Sequence, residues 1–322
     1  MNHLPSASQA GLLPPDITLL ERGWLSSNSL LLHDENQGAV LVDSGYGSHQ
    51  AQTLALVRHA LISQRMPSLR LIVNTHLHSD HCGGNALLSQ HFGCEIAIPP
   101  GEFDAALAWD QQTLSYESTG QSCPRFKPDH VLRPGTLIKQ GGRQWQVLAA
   151  PGHDPHSIIL FEPESGILVS ADALWEHGFG IVFPAITGEG LETERGFAEV
   201  EASLNLIDTL PVRLVVPGHG PAFSDLAGAL QRARKKLDYF RQNPERHARH
   251  AAKALIMFRL LEVGPQPQAN FVESLLKTPV HLAMWRAYFA QVDAQAWTKE
   301  LLTELAHHGA LKMSPEMELS AH

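Results

Sequence analysis

Cysteine is scarce in this sequence: there are three in 322 residues, Cys82, Cys94 and Cys123, an odd number without metal-finger spacing. That excludes a disulfide framework and points to a reducing compartment. No window approaches the roughly 18 consecutive apolar residues of a membrane span. The opening MNHLPSASQAGLLPPD lacks both the basic start and the apolar run of roughly 7–15 residues that mark a secretory signal. A cytoplasmic protein without a membrane partner is expected. Basic residues are few in the first part of the chain: residues 1–225 carry 11 Lys+Arg against 24 Asp+Glu, whereas 226–322 carry 13 against 9. Opposite charge in two segments implies two functional regions, 1–225 and 226–322. With 43% hydrophobic residues the chain is long enough for one large and one smaller core.

The first region alternates short apolar runs with turns: ITLL, SLLL, AVLVDSG, LRLIVNTH, EIAIPP, QWQVLAAPGH, SIILFEP, GILVSADAL and LVVPGHG. Gly, Pro and Asp punctuate these strands, and helical segments are expected at about 51–66 and 193–209, giving an α/β fold of sheets flanked by helices. The second region reads as four or five helices. Leu226, Leu230, Ala233, Leu237 and Phe240 share one helical face. Asn243-Pro244 and Thr278-Pro279 are start signals, Asp293 is a cap, and Gly309 is a stop.

Ligand-type residues gather just after the strands. In THLHSDH, His76, His78, Asp80 and His81 stand within six positions on a turn. Any one of the 19 histidines is more often a core or surface residue than a ligand. Four such groups together at a strand end would be costly to bury unpaired, and imidazole with carboxylate suits zinc, iron or manganese at about 2.0–2.2 Å.

THLHSDH resembles the His-x-His-x-Asp-His signature of the metallo-β-lactamase-fold superfamily. APGHDPHS, SADAL and VPGHG follow in the family's order with His153, Asp172 and His219, at gaps of 72, 19 and 47 residues. The resemblance covers residues 16–225 and implies an αββα sandwich with the metal site at its edge. It assigns His76, His78 and His153 to one metal, Asp80, His81 and His219 to a second, and Asp172 to the bridge. It also implies a hydroxide bridging two divalent ions, zinc with iron or manganese as alternatives, as the nucleophile. Asp80 would be the catalytic residue, orienting that nucleophile and passing a proton to the leaving group. Asp43 in LVDSG falls where the family keeps an aspartate that supports the ligand loop. Gly83 and Gly84 would let the backbone pass close to the metals, and His156 and His177 are secondary candidates. The pairs His247/His250 and His307/His308 are read as surface helix positions.

A family does not fix a substrate. The bridging Asp172 speaks against the zinc β-lactamases, the full ligand set against the single-iron persulfide dioxygenases, and the tail against the flavodiiron branch. A thioester or ester (lactone-like) hydrolase similar to glyoxalase II remains, although the last ligand stands in PGHGP rather than in Gly-His-Glu. The alternative is a phosphodiesterase or ribonuclease similar to the β-lactamase-like-protein-2 group. There an all-helical, winged-helix-like tail would bind nucleic acid through the eight Lys/Arg from Arg232 to Lys253. A non-enzymatic metal-bearing module is disfavoured by the retention of all seven ligands. The expected partner is a small-molecule substrate, selected by the second region. Five histidine ligands have to be neutral to bind metal and free imidazole titrates near about 6.5, so hydrolysis should fall steeply on acidification in a pH–rate profile.

Overall fold

The computed structural model describes residues 13–187, 190–314 and 317–321. Most of the opening stretch read above for a leader signature, residues 1–12, lies outside the described residues. The first sheet contains β1 (Ile17–Leu20), β2 (Ser29–Leu32), β3 (Ala39–Val42), β4 (Leu69–Val73), β5 (Glu95–Ile98) and β6 (His130–Val131), paired in that order. The β1 to β3 pairs are antiparallel and the β3 to β6 pairs parallel. The parallel pairs are bridged by crossovers that include α1 (Gln50–Ser63), α2 (Ser79–Cys82), α3 (Asn85–Phe92), α4 (Phe103–Ala108) and α5 (Tyr116–Thr119).

A second sheet has β7 (Leu137–Gln140), β8 (Arg143–Ala149), β9 (Ile158–Glu162) and β10 (Ile167–Ala171). A hairpin of β11 (Ala185–Thr187) and β12 (Gly190–Glu192) and the helix α6 (Glu194–Asp208) lead to β13 (Leu214–Pro217), which pairs parallel to β10. The sheet order is β13-β10-β9-β8-β7.

The period of two along each strand builds the layers. Leu30, Leu32, Val40 and Val42 of the first sheet meet Ile158, Leu160, Ile167, Val169, Leu214 and Val216 of the second in one buried cluster. Their alternates Leu31 and Leu41 turn outward onto Val57 and Leu61 of α1 and Leu88 of α3. Ile159, Phe161, Leu168 and Val215 turn the other way, onto Phe197, Val200 and Leu204 of α6. The result is helix, sheet, sheet, helix, an αββα sandwich in which β2, β3, β9, β10 and β13 are buried on both faces.

Beyond β13 come α7 (Leu226–Gln242), α8 (Pro244–Val263), β14 (Gln266–Pro267), α9 (Gln268–Leu275), α10 (Pro279–Tyr288), α11 (Ala294–His307), β15 (Leu311–Met313) and β16 (Glu318–Ala321). Helices dominate, and a small antiparallel sheet of order β14-β16-β15 accompanies them. The apolar face of α7 is used on the sandwich itself: Ala229, Leu230, Ala233, Leu237 and Phe240 share the cluster of α6. The remaining helices enclose their own core around Leu255, Ile256, Leu260, Phe271, Met284, Trp297 and Leu301. Asp293 caps α11 by accepting from the Gln295 and Ala296 amides, and Gly309 ends it at φ 71°. Asn243 sits at the N-cap of α8, but its side chain donates to the Tyr239 carbonyl and so closes the preceding helix instead.

Leu160 is fully buried between the two sheets. Leu160→Ala is expected to cost about 2–5 kcal/mol of stability in denaturant unfolding, through lost transfer free energy plus the residual cavity.

Candidate metal centre

The site is built where β3, β4, β10 and β13 stop. Asp43, directly after β3, takes the left-handed backbone conformation (φ 58°), uncommon for a residue with a Cβ. That conformation aims its carboxylate back at the loop following β4. Oδ1 accepts from the Thr75 amide at 2.9 Å, and Oδ2 accepts from the Thr75 hydroxyl and from His81 Nδ1, each at 2.8 Å. Asp43 therefore ties the start of the THLHSDH loop to its end. The other side of the loop is held by an amide network in which Asn74 Nδ2 donates to the His81 carbonyl (3.0 Å), Asn85 Nδ2 to Asn74 Oδ1 (2.6 Å) and the Ser44 hydroxyl to Asn85 Oδ1 (2.7 Å).

Two groups of donors result. His76, His78 and His153 offer one ligand atom each, all within 4.8 Å of one another, and Asp80, His81, Asp172 and His219 do the same. All seven residues singled out in the sequence are thus brought together. His153 Nδ1 donates to the Ile181 carbonyl at 2.6 Å, which turns Nε2 inward to 2.7 Å from His78 Nδ1. In the second group His219 Nε2 lies 3.0 Å and His81 Nε2 3.7 Å from Asp80 Oδ2. Asp172 spans the two groups: Oδ1 is 3.5 Å from His81 Nε2, and Oδ2 is 3.3 Å from His153 Nε2.

The electrostatics of the two groups differ. Burial, with the neighbouring imidazoles, holds His76 well below the usual histidine range and pushes His78 down to about 4. These rings stay neutral, the form that donates a lone pair. Burial also opposes charge on His81, but Asp172, Asp43 and Asp80 outweigh it and hold that imidazole raised. Asp172 is held well below the carboxylate range despite burial, chiefly by His81 and His219. Buried anions of this kind call for a cation. Nε2 of His76 and Nε2 of His81 are buried without hydrogen-bond partners, and His219 turns its Nε2 to Asp80. Inward-facing imidazole nitrogens beside buried carboxylates fit two divalent metal ions, one per group.

Glycine makes the room, partly at other positions than expected. Gly83 and Gly84 have ordinary backbone angles, and a Cβ there would strike the Gly47 amide nitrogen or the Ser44 carbonyl oxygen. They admit the loop after β3, not the metals. The glycines that border the ligands are Gly180, where a Cβ would lie 2.6 Å from His153 Nδ1, and Gly218, where it would strike Asp172 Oδ1. Gly180 stands outside the quoted motifs, and Gly218 is the first glycine of VPGHG. Two tryptophans also escaped the sequence reading: Trp24, 63% exposed, lies flat over His219, and Trp175 donates its indole N–H to Asp172 Oδ1 at 3.1 Å.

The secondary candidates, and Cys82 next to His81 in sequence, sort differently. Cys82 is buried with its sulfur toward the Leu77 and His78 carbonyls, Tyr116 and Cys123, rather than among the ligand nitrogens. The ring of His156 packs against Gly101. His177 is exposed beside Glu176, at 82% of its side chain. His247, expected on a helix surface, is instead buried against Phe197 and Phe240, because α8 folds back across α7.

Known proteins resemble this chain. Residues 22–219 match the family model described as the metallo-beta-lactamase superfamily. The chain is 26% identical over 209 residues to the hydroxyacylglutathione hydrolase GloC of Haemophilus influenzae, covering 60% of this chain and 85% of that one. It is 29% identical over 164 residues to the acyl-coenzyme A thioesterase MBLAC2 of Bos taurus, covering 48% of this chain and 57% of the relative, little more than half its length. A metallo-beta-lactamase family protein from Thermus thermophilus shares the fold with a TM-score of 0.54 at 23% identity, over 97% of this chain and 100% of that one.

Asp43 reaches both ends of the ligand loop without belonging to either donor group. Asp43→Ala should weaken metal binding by about 10–100-fold in chelator competition, as loss of a group that orients ligands does.

Proposed function

Because the chain belongs to the metallo-beta-lactamase superfamily, we propose that this metal-dependent hydrolase cleaves thioesters, with esters and lactones as secondary substrates. The observation that carries the reading is the carboxylate of Asp172, which reaches both donor groups: Oδ1 faces His81, and Oδ2 lies 3.3 Å from His153 and 4.0 Å from His219. We assign His76, His78 and His153 to one ion and Asp80, His81 and His219 to the other, with Asp172 between them and zinc as the metal. Bound there, the ions supply Lewis acidity and a water ionised near neutral pH, since zinc lowers the pKa of bound water from about 15.7 to about 7.

The residues of the chain then divide the work. Asp80 is the catalytic carboxylate: buried between His81 and His219, it orients the attacking water and carries its proton. The water oxygen adds to the thioester carbonyl carbon, the carbon–sulfur bond breaks with its electron pair going to sulfur, and the proton reaches the leaving thiolate through Asp80. A thiol ionises near about 8.5, so sulfur leaves without the strong general acid an alkoxide would need. His153, steered by the Ile181 carbonyl, and His81, steered by Asp43, keep their inner nitrogens aimed.

Two considerations favour thioesters. The relatives named above are a hydroxyacylglutathione hydrolase and an acyl-coenzyme A thioesterase. The C-terminal helices also stand beside this part of the chain, where they would add apolar surface for a small substrate: Ile181 and Phe183, beyond Asp172, pack against their core, and Phe258 of α8 meets Tyr46 edge-on at 5.5 Å. In this reading residues 1–225 carry the chemistry and 226–322 form a wall that selects the substrate.

The nuclease alternative needs free cations along α7 and α8. Those residues are largely engaged: Arg232 with Asp225, Arg234 with Asp208, Arg241 with Glu194 and Glu201, Arg249 with Glu300 and Glu304, and Lys253 with Glu304. Lys236 points inward to the Phe179 carbonyl. No helix among the described residues is long and apolar enough to cross a membrane.

Zinc-loaded protein should turn over acyl thioesters faster than lactones and both faster than bis(p-nitrophenyl) phosphate. Phosphodiester turnover alone, or tight RNA binding that weakens steeply with salt, would overturn the proposal. Asp80→Ala and His153→Ala should each reduce thioester hydrolysis by orders of magnitude while leaving the circular dichroism spectrum of the fold in place.

A further inference from the structure

We propose that Trp175 is a positioning residue that fixes the rotation of the Asp172 carboxylate and thereby sets the affinity of the second ion; this rests on the reading of Asp172 as the bridge. An aspartate can bridge two ions through one oxygen or through both, and in either mode its rotation has to be fixed, yet a carboxylate turns readily about its terminal bond. The indole N–H of Trp175 donates to Asp172 Oδ1 at 3.1 Å, the oxygen that faces His81, and leaves Oδ2 between His153 at 3.3 Å and His219 at 4.0 Å. Trp175 stands three residues beyond the carboxylate it contacts, so the loop between them has to turn back sharply.

That turn is built for the purpose. The Trp175 amide donates to the Gly178 carbonyl at 2.7 Å, and the Gly180 amide returns to the Asp172 carbonyl at 2.8 Å. Gly178 (φ 140°) lies in backbone space that other residues rarely enter, and a Cβ there would strike Lys236. Helix α7 clamps the loop from outside, with Arg232 Nε donating to the Glu176 carbonyl at 2.7 Å and Lys236 Nζ to the Phe179 carbonyl at 3.3 Å. The indole is braced on its other sides: its ring lies edge-on to Trp24 at 5.6 Å and to His219 at 5.4 Å, while Trp24 stacks over His219 at 5.5 Å and 12°. Such aromatic contacts limit the ring to one orientation. The loop, α7 and Trp24 thus hold the ring with its N–H toward Asp172.

Cobalt(II) titration of the metal-free protein separates positioning from mere packing. Trp175→Phe keeps a ring and removes the donor; Trp175→β-(benzothiophen-3-yl)alanine replaces only the N–H by sulfur in a ring of the same shape. Both should bind the weaker of two cobalt ions about tenfold less tightly or worse, with an altered d–d absorption band for that ion. Unchanged cobalt affinity and spectrum, with or without a lower melting temperature of the metal-free variant, would overturn the proposal, as would tighter binding. A wild-type protein that takes up one cobalt ion only would overturn the bridging assignment of Asp172 and this inference with it. Two ions in the wild type and no change in the variants would overturn this inference alone.

Discussion

Three carboxylates, Asp43, Asp80 and Asp172, are buried around the imidazole of His81, and the need to neutralise them organises the site. Anions withdrawn from water at the end of a sandwich are tolerated only with positive charge or strong hydrogen-bond donors beside them. Asp43 is satisfied by the Thr75 amide and hydroxyl and by His81. Asp80 and Asp172 face imidazole nitrogens instead, and two divalent ions among those nitrogens would satisfy both. The sandwich makes this possible by ending β3, β4, β10 and β13 at one edge, so that the ligating groups come from separate stretches of chain with little local flexibility.

Much of this was legible in the residues. The strands announced themselves as short apolar runs ended by Gly, Pro or Asp, and the alternation within them now divides cleanly between the inter-sheet cluster and the two helical faces. The donor set was legible because THLHSDH, APGHD, SADAL and PGHG concentrate ligand chemistry at strand ends. What escaped depends on tertiary approach. Gly180 and Gly218 look ordinary until His153 and Asp172 are placed beside them. Trp24 becomes part of the site only because the loop before β2 folds over His219. The strand β7 carries Lys and Gln, and its pattern is set by a position at the sheet edge rather than by burial on both faces.

The C-terminal helices show how one apolar pattern can be partnered in two ways. The face of α7 was readable as a stripe at helical spacing, yet periodicity alone does not say what the stripe meets. It packs on the sandwich beside α6, while α8 to α11 close a separate core with the small sheet. The same helix holds the loop after Asp172 through Arg232 and Lys236. Changes in the C-terminal region therefore have a short mechanical route to the metal centre, through the 172–180 loop. The positive charge of this region is largely paired with Asp208, Glu194, Glu201, Glu300 and Glu304, which ties α7 to α6 and α8 to α11.

The central claim is that the two donor groups form one binuclear centre bridged by Asp172. Anomalous diffraction from crystals of zinc-loaded protein, recorded on both sides of the zinc absorption edge, tests it most directly. The account predicts two zinc peaks per chain, one ringed by His76, His78 and His153 and the other by Asp80, His81 and His219, with the Asp172 carboxylate between them. A single peak at saturating zinc, or two peaks with Asp172 turned away from either, would contradict it.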